Sequence, residues 1–256
     1  MIKLSADWQF NVLGVSNYLS NSHPLRFYFN FIKEQSHKFD GDIVESGVFQ
    51  GHSLIATAQI LKSINSTKTV YGYDTFCGFP PVYNLKDDPK YFHDLFKDEQ
   101  ITSKHLSDVT TNLRWRELLS ESTLNASTIS SSGNFSATSR SCIERKLSIL
   151  GLDNVVLVEG SFKDTMAASQ HSGPSNVCAA LVDCDLYDSH IATFEFLWPK
   201  LEPNALIYLD EYYSLKFPGA RAATNEFLAT ISSSDSELVQ FPTPPSEFER
   251  WGLIRK

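Results

Sequence analysis

The 256-residue chain has no uninterrupted apolar run near the ~20 residues that a membrane-spanning helix needs. Its opening stretch, Met-Ile-Lys-Leu-Ser-Ala-Asp-Trp, carries no apolar core of a secretory signal. Both absences point to a soluble, cytoplasmic protein that does not work at a membrane. Cysteine is scarce: Cys77, Cys142, Cys178 and Cys184 are scattered, with no CxxC pair, which suits reduced thiols and not a disulfide framework. Basic residues are outnumbered, 22 Lys+Arg against 30 Asp+Glu, for a formal charge of −8. A protein that grips a nucleic-acid backbone without regard to sequence needs the opposite balance to neutralise phosphates, so the charge argues against that class while leaving room for a local basic pocket. Several catalytic signatures are also missing: there is no GxSxG elbow, no GxxxxGK[ST] phosphate loop, no HExxH and no GxGxxG. The seven histidines (23, 37, 52, 93, 105, 171 and 190) form no pairs, and nothing has zinc-ligand spacing.

Hydrophobic residues make up 42% and charged residues 20%, enough apolar material for one large core. Short apolar runs alternate with helix-period segments, the pattern of an α/β fold with a mainly parallel sheet. Strands are expected at 42–48, 69–74, 155–159, 177–183 and 205–210. Helices are expected at 24–38, 53–63, 189–201 and 220–231, with a short one after the strand at 155–159. Residues 237–241 and 250–254 can pair as an antiparallel edge hairpin across a proline-rich turn. The whole of 1–256 is read as a single domain with an N-terminal helical extension over 1–40.

The alternation breaks after Cys77. From there to about residue 137 no strong strand is visible. The first half is aromatic and charged (Tyr83, Tyr91, Phe92, His93, Phe96) and the second half, from Ser120 to Ser141, is serine-rich. An unstructured insertion of this length within a domain is expected to be a lid, a binding loop or a linker, and the serine-rich part alone reads as solvated linker.

The stretch Gly41-Asp-Ile-Val-Glu45-Ser-Gly47-Val-Phe49-Gln-Gly51 carries the most chemistry. An apolar strand ends in an acid, two glycines follow four residues apart, and a helix begins near Ser53. Glycine permits a tight turn and close approach of a ligand, and the helix N-terminus presents free N–H groups. The spacing suits a nucleoside–amino-acid ligand: the acid takes an ammonium group or a water, and the turn amides take a carboxylate. The next strand ends in Tyr73-Asp74, where an acid can accept both ribose hydroxyls of a bound nucleoside. Taken alone, Glu45 and Asp74 also read as capping or turn residues.

A second acidic group stands at Asp183-Cys184-Asp185 and Asp210-Glu211, each at the end of a buried strand. If these strands are neighbours, Asp183, Asp210 and Glu211 meet at one edge. Clustered buried carboxylates are costly unless neutralised. An oxygen-preferring divalent cation (Mg²⁺, Mn²⁺ or Ca²⁺) is one remedy; helix caps and solvent-facing acids are the plainer alternative. His93 and His105, in the insertion, are candidates for a base that reaches a substrate.

The ordered series Asp42-Ile-Val-Glu-Ser-Gly-Val-Phe-Gln-Gly-His-Ser, Tyr71-Gly-Tyr-Asp-Thr-Phe-Cys-Gly-Phe-Pro, Val158-Glu-Gly-Ser-Phe-Lys-Asp-Thr, Asp183-Cys-Asp-Leu-Tyr-Asp-Ser, Tyr208-Leu-Asp-Glu-Tyr-Tyr and Pro218-Gly-Ala-Arg-Ala-Ala resembles class I S-adenosylmethionine-dependent methyltransferases. More narrowly, it resembles the macrocin/mycinamicin sugar O-methyltransferases of macrolide biosynthesis. The resemblance implies a Rossmann-like fold with a seven-stranded, mainly parallel sheet, an antiparallel C-terminal hairpin and helices on both faces. It implies S-adenosyl-L-methionine held by Glu45, Gly47, Phe49, Gly51, Ser53, Asp74, Gly160, Ser161, Phe162 and Asp183. It implies Mg²⁺ or another divalent cation at Asp183, Asp210 and Glu211, with Asp183 also a candidate base, and a homo-oligomer, a dimer or higher. The expected reaction is O-methylation of a hydroxyl on a sugar, glycoside or similar small-molecule natural product. The alternatives are a metal-independent methyltransferase acting on a carboxyl, amine or phenol, or an inactive nucleoside-binding scaffold. Two positions depart from the family pattern: Cys184 stands where Asp-Gly-Asp is usual, and Glu211 where Asp-Asp is usual.

Overall fold

The computed structural model describes residues 2–120, 123–167 and 173–256; His171 and residues 121–122 of the insertion lie outside this set. In chain order the elements are α1 (Asp7–Leu13), α2 (Arg26–Gln35), β1 (Asp42–Ser46), α3 (His52–Ser63), β2 (Val70–Asp74), α4 (Phe92–Lys97), α5 (Ser103–Leu119), α6 (Arg140–Leu150), β3 (Val155–Glu159), α7 (Phe162–Thr165), β4 (Val177–Val182), α8 (Tyr187–Leu197), β5 (Leu201–Leu209), α9 (Pro218–Thr230), β6 (Ser236–Phe241) and β7 (Arg250–Arg255). The seven strands form one sheet in the order β3-β2-β1-β4-β5-β7-β6. The first five are parallel, and β7 runs antiparallel to both β5 and β6. The expected hairpin is present, with β6 at the sheet edge and β7 inside it.

Apolar side chains alternate between two cores, as the period of two requires. Ile43 and Leu181 face one cluster with Phe29 and Ile32 of α2, Leu54 and Leu61 of α3, and Ile143 and Leu147 of α6. Val44 and Val182 face another with Phe194 and Leu197 of α8 and Phe227 of α9. Strand β4 is buried along its whole length, as a central parallel strand covered on both faces should be. Among the described residues no helix is long and apolar enough to cross a membrane. All four cysteines are free, Cys77 and Cys142 exposed, Cys178 and Cys184 buried.

The insertion differs from the sequence expectation of an unstructured segment. It holds α4 and the 17-residue α5, which begins at an N-cap where Thr102 accepts from the amide of His105 (3.1 Å). Phe92, Leu95, Ile101 and Val109 form a third apolar cluster against Ala222 of α9. Trp115, Leu118 and Leu119 of α5 are exposed, so its apolar residues are spread around the helix and give no single stripe. The start of the insertion is pinned to the N-terminus of α8, where Asp87 Oδ1 accepts from the amide of Tyr187 (2.7 Å), and to α9, where Lys86 pairs with Glu226 (2.6 Å).

Candidate active site

Strand order reverses between β1 and β4, because β2 and β3 lie on one side of β1 and β4 and β5 on the other. A crevice opens at the carboxyl ends of the strands at such a switch point, and ligands of open α/β sheets bind there. Here it is a cavity of about 620 Å³. Its wall includes Gly47, Phe49, Ser53, Asp74, Ser161, Phe162 and Asp183 from the sequence-derived cofactor set. Gly51 and Gly160 stand just behind it, as the N-cap of α3 and the turn after β3.

Gly47 has φ +89, and a side chain there would drive its Cβ into the backbone carbonyl of Asp183. The ends of β1 and β4 can approach this closely only with glycine. Glu45 is fully buried behind the loop. One carboxylate oxygen accepts from Ser53 Oγ (2.7 Å), and the other has no partner among the described residues. Burial lifts its pKa to about 8, opposed by the Ser53 bond.

Asp74 clamps the loop. Its Oδ2 accepts from the amides of Val48 (2.7 Å) and Phe49 (2.8 Å), and its Oδ1 accepts from Phe76 N (2.7 Å). Oδ1 keeps a lone pair for a further donor. The same loop is held from outside by residues that the sequence did not single out. Thr138 Oγ1 donates to the carbonyl of Phe49, and Lys146 Nζ donates to the carbonyls of Gln50 (3.1 Å) and Gly14 (3.3 Å). Phe49 (φ +48), Phe135 (φ +60) and Asp185 (φ +58) all sit in the left-handed region, and all three line the cavity. Such strain persists where the surroundings over-determine it, and it concentrates at functional sites.

Carboxylate oxygens of Asp183, Asp185 and Glu211 lie within 4.8 Å of one another. The sequence had placed Asp210 in this trio and left Asp185 out. The register of β4 on β5, Val182 opposite Leu209, brings the next residues Asp183 and Asp210 side by side, and the backbone enters the left-handed region at Asp185. Asp210 remains in electrostatic reach. Burial and then the charges of Asp210, Asp185 and Glu211 hold the Asp183 carboxyl well above the ordinary range. Asp185 is raised well above it by burial and Glu211, and Asp210 rises to about 6 by burial and Glu211. Lys216 faces the group, with Nζ 3.5 Å from Glu211 Oε1. Burial pushes its ammonium pKa down, but Glu211, Asp185, Asp183 and Asp210 outweigh this and raise it. No spacing in the sequence signals Lys216; it reaches the cluster through the turn after β5.

Neither insertion histidine lines the cavity. His93 is exposed on α4. His105 is buried: its Nε2 is 2.6 Å from the carbonyl oxygen of Ser214, and its ring stacks on Tyr213 at 4.0 Å. Both sequence-derived base candidates therefore stand outside the lining of this cavity.

The fold and the crevice define a class I methyltransferase architecture. The family model described as "Methyltransferase domain" matches residues 44–212, and the chain belongs to that family. It is similar to a mycinamicin III 3''-O-methyltransferase from Micromonospora griseorubida, 28% identical over 205 residues, 78% of this chain and 65% of that protein. It is also similar to an 8-demethyl-8-(2,3-dimethoxy-α-L-rhamnosyl)-tetracenomycin-C 4'-O-methyltransferase from Streptomyces olivaceus, 24% identical over 216 residues, 84% of this chain and 65% of that protein. The chain thus spans 65% of the length of each of these two curated relatives. Among solved structures, the O-methyltransferase NovP superposes with a TM-score of 0.60 at 20% identity, over 88% of this chain and 75% of that one.

Proposed function

We propose that the chain is an S-adenosylmethionine-dependent O-methyltransferase whose acceptor is a hydroxyl on a sugar of a small-molecule natural product. The observation that carries this reading is one cavity wall shared by Gly47–Phe49, Asp74, Ser161–Phe162 and Asp183. The names of the relatives, both O-methyltransferases and one of them of a rhamnosyl-bearing compound, support the acceptor class.

The residues fit the cofactor. Asp74 keeps an acceptor site beside the cavity, and Glu45 offers a buried carboxylate oxygen with no partner behind the loop. Bound S-adenosylmethionine supplies an electrophilic methyl group on a sulfonium, whose S–CH₃ bond breaks as the acceptor's O–CH₃ bond forms. The protein's part is alignment and acceptor activation. Asp183 lines the cavity and is the carboxylate placed to take the hydroxyl proton. The clamped glycine loop fixes the donor side of the crevice. The non-helical parts of the insertion, residues 77–82 and Phe135, line the other side of the crevice and exclude water there.

The trio Asp183, Asp185 and Glu211, with Asp210 beside it, is an all-oxygen donor set that fits Mg²⁺ or a similar hard cation. Such an ion would supply Lewis-acid stabilisation of the acceptor oxygen. Lys216 favours a second reading, in which its ammonium neutralises the same acids and the reaction is metal-independent.

Calorimetry with S-adenosylhomocysteine tests the core of the reading: the folded protein should bind it, and no detectable binding would sink the proposal. Methyl transfer to a glycoside, followed by mass spectrometry with and without chelator, separates the two metal readings. Loss of turnover with chelator, restored by Mg²⁺, supports the first; unchanged turnover supports Lys216.

A further inference from the structure

S-adenosylmethionine carries one anionic group, the carboxylate at its methionine end, so the cavity needs one corner that favours negative charge. We infer that Lys146 provides it: a positioning residue that holds the glycine loop from behind and whose uncompensated charge fixes the cofactor's carboxylate at that corner. The inference rests on the methyl-transfer reading above.

The surroundings of the ammonium leave its charge unpaired. Lys146 stands on α6, and its Nζ donates to the carbonyls of Gln50 (3.1 Å) and Gly14 (3.3 Å). Both acceptors are neutral, and one N–H is left over. Lys62, Lys86, Lys104, Lys216 and Lys256 each meet a carboxylate, whereas among the described residues none pairs with Lys146. Burial pushes its pKa down, opposed by the Cys142 thiol and by no acid. A half-buried cation in this state is stabilised by an anion placed nearby.

That anion can come only from the cavity side. Lys146 is not part of the cavity wall, but Ser16, Gln50 and His52, which are, surround it. Gly14, the left-handed cap of α1 (φ +58), leaves the space in which they meet: a Cβ there would lie 3.1 Å from both Lys146 Nζ and His52 Nε2. The amide of Ser16 donates to the carbonyl of His52 (3.0 Å), which seats the segment after α1 on the start of α3. Burial and the Lys146 charge push the His52 pKa down, so its ring is neutral and Lys146 is the cation of this corner. Helix α3 begins at His52, and the positive end of its dipole opens onto the same place. Asp183 and Asp185 lie elsewhere on the wall, so the potential across the cavity falls away from Lys146 and orients a ligand with one anionic end.

Calorimetry with two ligands tests this: S-adenosylhomocysteine, and its decarboxylated analogue S-adenosyl-3-thiopropylamine, which keeps the nucleoside, the sulfur and the amine. The wild type should bind S-adenosylhomocysteine about tenfold more tightly or better. Lys146→Gln keeps an N–H donor for the loop but removes the charge. It should weaken S-adenosylhomocysteine about tenfold and leave the analogue within about threefold of wild type. Lys146→Arg, which keeps the charge, should retain most of the S-adenosylhomocysteine affinity. Equal losses for both ligands in Lys146→Gln would make Lys146 a clamp and nothing more, and overturn the inference. So would an unchanged S-adenosylhomocysteine affinity in that variant, a wild type that does not distinguish the two ligands, or an arginine variant that falls as far as glutamine. A wild type that binds neither ligand overturns the methyl-transfer reading and this inference with it.

Discussion

Replacing Asp74 with alanine should damage the protein in two separable ways. The carboxylate receives three amide donors at 2.7–2.8 Å, from Val48, Phe49 and Phe76. Hydrogen bonds to a charged group are worth about 1.5–3 kcal/mol each, and water can replace part of that near a cavity, so a loss of about 3 kcal/mol is expected. Two of the three donors, Phe49 (φ +48) and Phe76 (φ +51), sit in left-handed backbone that this carboxylate holds in place. For a chain of this size, 3 kcal/mol lowers Tm by about 6–12 °C. Separately, a ribose that loses its carboxylate acceptor should cost S-adenosylhomocysteine at least about 100-fold in Kd, the equivalent of about 3 kcal/mol. Differential scanning fluorimetry reads the first effect and calorimetry, below the variant's Tm, reads the second. Asp74→Asn keeps an acceptor but turns an amide donor towards the loop, so it should fall between wild type and alanine in both assays. A Tm drop under about 2 °C would refute the clamp. A Kd within about threefold of wild type would refute the ribose role.

Three further outcomes follow from the geometry. Glu45 has its folded pKa raised from 4.5 to about 8, so its contribution to stability is fully present below pH 4.5, declines as pH rises, and levels off above pH 8. Glu45→Gln should therefore gain on wild type across that window, by a few kcal/mol at its upper end in denaturant titrations; a pH-independent difference would contradict the buried, neutral carboxyl. Gly47→Ala should destabilise by about 3 kcal/mol or more in the same assay, because the new Cβ meets the Asp183 carbonyl at a positive φ. Lys216→Met leaves the acids without their cation, so it should lose about 1–3 kcal/mol of stability and recover more of it than wild type does when Mg²⁺ is added; equal Mg²⁺ responses would mean that the lysine does not compensate the cluster.

The sequence was most readable where backbone and ligand demands coincide. Apolar runs ending in Glu45, Asp74, Asp183 and Asp210 announced β1, β2, β4 and β5, and the glycine at 47 stands where only glycine fits. Strand β5 begins earlier than its apolar run, at Leu201, because pairing of Leu201 with Val177 carries Glu202, Pro203 and Asn204 into the strand. Helix α5 was hidden because its apolar residues face both α9 and solvent. The acidic cluster was legible in Asp183, Asp210 and Glu211, which act on one another electrostatically, and the structure adds Asp185 beside them. The clamps on the loop, Thr138 and Lys146, and the counter-cation Lys216 are long-range partners, and no local period reveals them. His105 misled for the opposite reason: a histidine in a presumed lid is a packed and hydrogen-bonded core residue.

The position of β7 has a consequence for the order of assembly. It follows β6 in sequence, yet it lies between β5 and β6 and pairs with both. During synthesis from the N-terminus, β1 to β5 can align as their segments emerge, but the outer edge of β5 has no partner until residues 250–255 have been made. Strand β6 is complete earlier and has nowhere to attach. The nascent chain therefore presents an open sheet edge until those residues emerge, a surface open to wrong pairing with other chains. Correct closure depends on one late, long-range event that seats two strands together.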